Sequence, residues 1–292
     1  MENKDNKQFL YDIFDKISSY ESDNSGYSLG KLAIQKVFEA TNTYSVEDIL
    51  ARLTIIDSMY STQMNRRYYG LEELAEVLSE INKKQNLAEA FLGFLNDKDL
   101  SRFQIRGKAT DLFAEKYGIG KNGEDKGLAV SLISKYAYFE TRYQFPIYDS
   151  IVREMYPLIW SYCGFPQKEM PQIKTNDICS FIDAIDILIG KLNYKTINYD
   201  SLDRVLWYVG KIQRGNLSLI LSRTEYEAFV KKYSQKVKKK EKEVNEFIFD
   251  ITNVDLDTLP LQQNNGIIYD FFVLAKNLGG SQKKIKGRSR KS

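Results

Sequence analysis

The sequence predicts an all-α protein. Apolar residues recur at helical spacing along most of the 292 residues, alternating strand patterns are scarce, and turn-forming segments separate the periodic stretches. The hydrophobic content of 43% is enough for a sizeable core, arranged either as one large domain or as two halves that share a cleft. No internal repeat is evident.

The candidate helices follow one another along the chain. The first covers residues 6–21, where Phe9, Leu10 and Ile13 have helical spacing. The second begins at Ser45, and Asp48 three residues later is typical of a capping box. Further candidates are residues 71–84, 87–96, 107–118, 127–139, 176–192, 199–212 and 223–249, followed by an apolar segment at 266–278. Predicted turns lie at 118–127, 165–171 and 193–199.

Two stretches concentrate lysine. Residues 234–244 are expected to form a lysine-dense helix, which presents either a solvated face or a stripe that follows phosphates. The last twelve residues carry six basic and no acidic side chains. Removing those six from the 42 basic residues leaves 36 against 39 acidic residues, a net charge of −3 for the body. The tail is therefore either a phosphate-binding arm or a solubilising terminus.

Composition excludes several classes of chemistry. The chain has no histidine, which removes serine and cysteine proteases of the triad type and histidine-ligated metals. Cys163 and Cys179 have no metal-ligand spacing, so we expect neither a metal nor another cofactor. No apolar run is long enough for a membrane span, and the polar first residues do not resemble a signal peptide. We expect a cytoplasmic protein without membrane contact.

The segment "YQFPIYDSIVREMY", residues 143–156, places an acid at a helix start. Pro146 fixes the chain, and Asp149 and Ser150 precede an amphipathic stretch. Asp149 is a good helix N-cap, and a cap is the usual role of an aspartate at such a position. The alternative is that the fold positions this carboxylate for chemistry.

The loop before this segment contains "GIGKNG", residues 118–123, which matches the glycine pattern of dinucleotide sites. A dinucleotide site requires a preceding strand, and an amphipathic helix is predicted here instead. We interpret the motif as a flexible loop that leads into the next helix.

The order of loop, helix, short crossing and aspartate resembles the helix-hairpin-helix DNA glycosylases, the superfamily of endonuclease III, MutY and 8-oxoguanine glycosylase. In that family a hairpin L-P-G-V-G precedes a helix, and a catalytic aspartate follows at a fixed interval. With Asp149 on that aspartate, Gly127, Leu128 and Ala129 fall on G-V-G. Ser131 falls on the position where bifunctional members keep a Schiff-base lysine.

Two upstream features occur in the family's order. "LTIIDSMYSTQMNRR", residues 53–67, is similar to the helix whose Gln or Asn wedges into the DNA stack, and Tyr60 falls on the wedge. "IRGKATDLF", residues 105–113, is similar to the family helix that opens with glycine and K-A, and it contains Lys108. The resemblance covers residues 45–156. The hairpin departs from the family in lacking its Leu-Pro and its second glycine.

The resemblance implies two helical lobes with a cleft and a monofunctional base-excision glycosylase that binds DNA. Asp149 would stabilise the positive sugar in the transition state, and the hairpin Gly127–Ser131 would approach the DNA backbone. Phosphate contacts would come from basic side chains outside the hairpin. These are Arg66, Arg67, Arg106, Lys108 and the tail. Lys135, one turn past Ser131, either swings toward the cleft or snorkels beside aromatic neighbours.

The predicted organisation is an N-terminal helical segment at 1–45, a glycosylase-like core at 46–160, a helical region at 161–276 that completes the second lobe, and a basic flexible tail at 277–292. Two other functions remain open. One is a non-catalytic nucleic-acid-binding module, and the other is a helical protein-interaction domain in which Asp149 is only a cap.

Overall fold

A computed structural model describes residues 2–19, 26–41, 43–60, 62, 64–103, 112–120, 122–124, 127–239, 242–247, 249–259, 261 and 266–289. Most of them are helical, which confirms the all-α prediction. The helices are α1 (Glu2–Ser19), α2 (Gly26–Ala40), α3 (Val46–Tyr60), α4 (Gly70–Asn82), α5 (Leu87–Asp97), α6 (Val130–Glu140), α7 (Ser150–Tyr162), α8 (Ile178–Leu192), α9 (Tyr199–Gln213), α10 (Arg223–Tyr233) and α11 (Gly266–Ser289). Within these residues no helix is long and apolar enough to span a membrane.

The strands form two antiparallel pairs. β1 (Lys116–Tyr117) pairs with β2 (Gly127–Leu128), and β3 (Ser234–Lys239) pairs with β4 (Lys242–Phe247). The second pair corrects the predicted lysine-dense helix at 234–244. Val237 and Val244 are the only aliphatic residues of that stretch, too few for a helical stripe, and the hairpin places them opposite each other.

Two further expectations need correction. Of the candidate helix at 107–118, the described residues 112–118 form a turn and β1, because the chain there pairs with β2. The rest of that segment, with Arg106 and Lys108 in or beside it, lies outside the described residues. The tail predicted from 277 is helical as far as Ser289, because α11 continues through the apolar segment to that residue.

The start of α3 confirms the predicted capping pattern in part. The backbone N–H of Asp48 donates to Ser45 Oγ at 3.2 Å, as in a capping box. The Asp48 carboxylate turns instead to the N–H of Thr43, at 3.0 Å. The helix start is thus held by two short-range hydrogen bonds.

Helix α6 is the buried axis of the N-terminal half. Every residue from Leu132 to Phe139 is buried, and α6 packs against α2, α3 and α5. A buried ion pair, Arg52 Nη1 to Glu140 Oε2 at 2.9 Å, joins α3 to the end of α6. Both of these side chains are at most 3% exposed, so α6 is fixed in its position among the surrounding helices.

A second set of extensive contacts joins α7, α9, α11 and α1. α7 and α9 lie close together at Gly210. A Cβ at that position would lie 2.2 Å from Ile151 Cγ2 and 3.3 Å from Met155 Cγ. The two helices therefore pack at a distance that no side chain at position 210 allows.

The loop between β1 and β2 requires glycine at position 118. Gly118 has a φ of +72°, and a Cβ there would lie 2.8 Å from both Gly70 Cα and the Tyr68 carbonyl oxygen. These neighbours are backbone atoms, which cannot turn aside as a side chain can. The glycine loop is thus fixed against the turn that precedes α4.

We expect Gly118→Ala to lower the free energy of unfolding by about 3 kcal/mol, because it adds a backbone clash to left-handed strain. Gly123→Ala is the matched control: its φ is also +72°, but no atom lies within 4 Å of its Cβ position. It should cost about 1 kcal/mol. Chemical denaturation of both variants checks the difference, and equal costs would contradict the packing described for Gly118.

Candidate active site around Asp149

Helix α6 holds Asp149 in place across the short crossing that leads to α7. The N–H of Tyr148 donates to Ser134 Oγ at 2.9 Å, and Lys135 Nζ donates to Asp149 Oδ2 at 3.1 Å. The other carboxylate oxygen, Oδ1, accepts from the N–H of Ile151 at 2.7 Å. Asp149 is therefore the N-cap of α7, as predicted, and it is also one half of an ion pair.

Lys135 is buried, and its side chain is only 2% exposed. Its ammonium donates to Ser131 Oγ at 2.7 Å, one helical turn earlier on α6, as well as to Asp149. The expectation that this lysine snorkels to the surface is therefore wrong. Burial of an ammonium is tolerated here because a carboxylate and a hydroxyl replace its water.

Tyr60, at the end of α3, covers this ion pair. Lys135 Nζ lies 5.2 Å from the centroid of its ring, and the ring of Phe139 lies 6.3 Å away, centroid to centroid. Burial raises the pKa of the Tyr60 phenol well above its ordinary value, and Asp203 and Asp149 raise it further. The structure thus brings Tyr60, Ser131, Lys135 and Asp149 together.

Helix α9 contributes acidic neighbours that the sequence did not single out. Burial raises the pKa of the Asp203 carboxyl to about 7, and the charges of Asp149 and Asp200 add to this rise. Asp200 accepts a hydrogen bond from Lys31 Nζ at 2.6 Å and one from the Tyr138 hydroxyl. One feature of the sequence could have identified Asp203 as a site residue. It is an acidic residue within the row of apolar residues, among them Leu202, that forms the buried face of α9.

The pKa of the Asp149 carboxyl is shifted in the opposite direction to that of Asp203. Burial alone would raise the pKa of its carboxyl, but the Lys135 charge and the Ile151 N–H outweigh burial and hold the pKa below its ordinary value. The site therefore keeps one carboxylate charged at neutral pH beside a second carboxyl that exchanges its proton near pH 7. Paired acids with separated pKa values are typical of sites for acid–base or electrostatic catalysis.

The hairpin predicted to approach DNA lies at the start of α6, directly before Ser131. Gly127 and Leu128 form β2, and Ala129 is the N-cap of α6 without a side-chain capping bond. The Arg67 guanidinium occupies the space that a Cβ would take at Gly127, and its buried Nη1 has no hydrogen-bond partner in the described structure. Arg66, next in the chain, is exposed. Uncapped N–H groups and nearby arginines favour an anion.

A cavity of about 510 Å³ opens beside the far end of α6. Its walls include the aromatic side chains of Phe38, Tyr44, Phe139 and Tyr143. Phe139 lines this cavity and also contacts the ring of Tyr60, which covers Lys135. The side chain of Phe139 therefore lies between the cavity and the Tyr60 ring.

Among the described residues, no group of three or more acidic or cysteine side chains is arranged to hold a metal ion. Comparison of this chain with protein-family models, curated proteins and solved structures gave no significant match.

We expect Asp203→Asn to change how stability depends on pH. The folded pKa of about 7 exceeds the ordinary value of 3.8, so the stability that the wild-type group contributes is complete below pH 4 and is lost as pH rises through 7. Relative to wild type, the variant should gain about 2 kcal/mol in free energy of unfolding between pH 5 and pH 7. Urea denaturation across this range measures the gain.

The matched control for this experiment is Asp257→Asn, which removes a carboxylate that is exposed in a short turn. If the free energies of unfolding of wild type and Asp203→Asn changed in parallel between pH 5 and pH 8, the raised pKa of Asp203 would be disproved.

Proposed function

We propose that this chain is a nucleic-acid-binding protein that hydrolyses an N-glycosidic bond, as a divergent relative of the helix-hairpin-helix DNA glycosylases. The observation that carries the proposal is the Asp149 carboxylate, which is held charged by buried Lys135, whose ammonium in turn lies 5.2 Å from the centroid of the Tyr60 ring. A helix cap alone does not need a buried lysine. Asp177, the N-cap of α8, accepts its capping bond from the N–H of Ser180, and no lysine side chain in the described structure forms an ion pair with it.

In this proposal the molecule has two lobes. One lobe comprises α2 to α6, and the other comprises α1, α7, α9 and α11, in line with the two sets of helix contacts. The site lies where they meet, because Lys135 belongs to α6, Asp149 begins α7 and Asp203 belongs to α9. A junction between lobes is a common place for a ligand site.

The chemistry follows from the charge of Asp149. Loss of a base from its sugar develops positive charge on the sugar ring, and a fixed carboxylate beside that ring stabilises it. The Asp149 side chain is 23% exposed, so it remains accessible from one side although both oxygens have hydrogen-bond donors. Its depressed pKa suits an electrostatic role or activation of water better than a role as a general acid.

The target base must leave the helical stack before it reaches Asp149, at a cost of a few kcal/mol. Tyr60 is placed for this step, since an aromatic ring stacks on exposed bases and fills a gap in the stack. The cavity next to Phe139, which is lined by both aromatic and charged side chains, offers space for a displaced planar group. Phosphates would be held at the start of α6 and by Arg66 and Arg67.

Asp149→Asn tests the chemistry. Asparagine caps helices as well as aspartate does and can still accept from Lys135, so α7 should form although losing the buried ion pair lowers stability, while abasic product should fall by about 100-fold or more. The assay uses duplex oligonucleotides that each carry one oxidised, alkylated or deaminated base. Asp177→Asn is the matched control, because it makes the same change at a helix cap of α8.

Binding measurements on the same duplexes separate the alternatives. The glycosylase proposal is supported if wild type and the Asp177 variant form abasic product, and if the Asp149 variant binds the duplex but forms none. Salt-sensitive binding without product from any variant would identify a non-catalytic module. The absence of binding at low salt would leave a helical protein in which Asp149 is a cap.

A specific contact favours a second candidate activity, cleavage of the sugar-phosphate chain through an imine. Ser131 cannot form an imine, but Lys135 Nζ lies 2.7 Å from Ser131 Oγ. Its amine therefore reaches the position at which the family resemblance places a Schiff-base lysine. Once its proton has passed to Asp149, that amine would attack the sugar C1′ and expel the base, and cleavage of the bond between C1′ and the ring oxygen would then form the imine.

Sodium borohydride reduces such an imine to a stable amine, so it would cross-link wild type to an abasic duplex. Lys135→Gln should abolish the cross-link, whereas Lys211→Gln, on α9, should retain it. A cross-link that persists in Lys135→Gln would disprove this role for Lys135.

A further inference from the structure

Two adjacent tyrosines extend from the turn between α3 and α4. Tyr68 is 55% exposed and Tyr69 is 65% exposed, more than any other large hydrophobic side chain in the described part of the chain. Neither ring contacts another ring among the described residues. Aromatic side chains that remain in water on a folded surface commonly mark a binding site.

The backbone beneath these rings is held firmly. Tyr68 and Ile119 exchange two N–H to carbonyl hydrogen bonds, each 3.0 Å long, which join the turn to the glycine loop. At the start of the turn, the N–H of Met64 donates to Asp57 Oδ1 at 2.9 Å, and Asp57 is 2% exposed. A surface that is already ordered loses little entropy when it binds a partner.

Tyrosine is a poor choice for local structure at position 69. Tyr69 has a φ of +63° and is the N-cap of α4, without a side-chain capping bond. Asparagine tolerates this left-handed conformation better and would also cap the helix. A tyrosine in this left-handed backbone conformation therefore lowers stability, on the order of 1 kcal/mol. A binding function of its exposed ring would explain why tyrosine stands at this position.

The charge beside the rings indicates the kind of partner. The order along the chain is Arg66, Arg67, Tyr68, Tyr69, and Arg66 is exposed. Two acids, Glu72 and Glu73, lie in the first turn of α4; Glu72 is exposed, and Glu73 accepts a hydrogen bond from the N–H of Gly118. Exposed aromatic rings next to guanidinium groups match the bases and phosphates of a single strand.

We propose that Tyr68, Tyr69 and Arg66 form a stacking platform for the bases of single-stranded nucleic acid. The platform rests on the nucleic-acid part of the proposed function, but it does not depend on the chemistry of Asp149. It would hold unpaired bases outside the Asp149 site, with the phosphates beside Arg66.

The test compares two fluorescent oligomers of about 12 nucleotides, a length that one single-strand-binding surface covers. One is oligothymidylate, and the other has the same phosphates but abasic sugars throughout. By fluorescence anisotropy, wild type should bind the oligomer with bases about tenfold more tightly or better. The double variant Tyr68→Leu with Tyr69→Asn should lose this preference and bind both oligomers alike.

Three controls isolate the rings. Tyr69→Asn relieves backbone strain, so thermal melting of the double variant shows whether the fold is intact. Tyr68→Phe with Tyr69→Phe keeps the rings and should keep the preference. Tyr269→Leu removes a tyrosine that is 37% exposed on α11 and should have no effect.

The proposal would be overturned if wild type bound the two oligomers equally or bound neither at low salt. It would also be overturned if the double variant kept the preference for bases. In each of these cases, the assay for abasic product still decides the role of Asp149 independently.

Discussion

The buried ion pair between Lys135 and Asp149 is the interaction on which the arrangement of the site depends. Removing an ammonium from water costs several kcal/mol unless partners replace the lost solvent. Lys135 finds them in Ser131, Asp149 and the ring of Tyr60, which come from α6, the start of α7 and the end of α3. The need to satisfy one buried charge therefore links three elements that are distant in sequence. The Arg52–Glu140 pair at the other end of α6 does the same for α3.

The same geometry shifts the pKa values of Asp149 and Asp203 in opposite directions. Asp149 has a cation and a backbone donor within hydrogen-bonding distance, so its charged form is favoured. Asp203 lies 7% exposed on α9, and burial together with the neighbouring charges of Asp149 and Asp200 favours its neutral form. A chain without histidine thus obtains a group that exchanges a proton near neutral pH by placing an ordinary carboxyl in an unfavourable environment.

Local patterns predicted what depends on local chemistry. The periodic apolar residues predicted most helices, and Asp149 was identified as a helix cap because capping needs only the next few residues. The environment of Lys135 was misjudged and Asp203 was missed, because the groups around them come from other helices. The spacing of apolar residues along the chain does not indicate a partner 14 residues away or on another element. The β3–β4 hairpin was missed because a lysine-rich stretch with few apolar residues has no clear period. The platform tyrosines were absent from the predicted site because their exposure appears only when the chain is folded.

The contact of α9 with α7 at Gly210 also affects how sequence variation in this protein should be interpreted. Position 210 has no room for a side chain because Ile151 fills the space, and Ile151 is also the residue whose N–H caps onto Asp149. In a survey of all substitutions scored by cell phenotype, Gly210 and Asp149 would therefore appear equally intolerant. The amount of folded protein would show the structural share of this intolerance: it should fall for Gly210 variants, and also for Asp149 variants, which leave the buried Lys135 ammonium without its carboxylate.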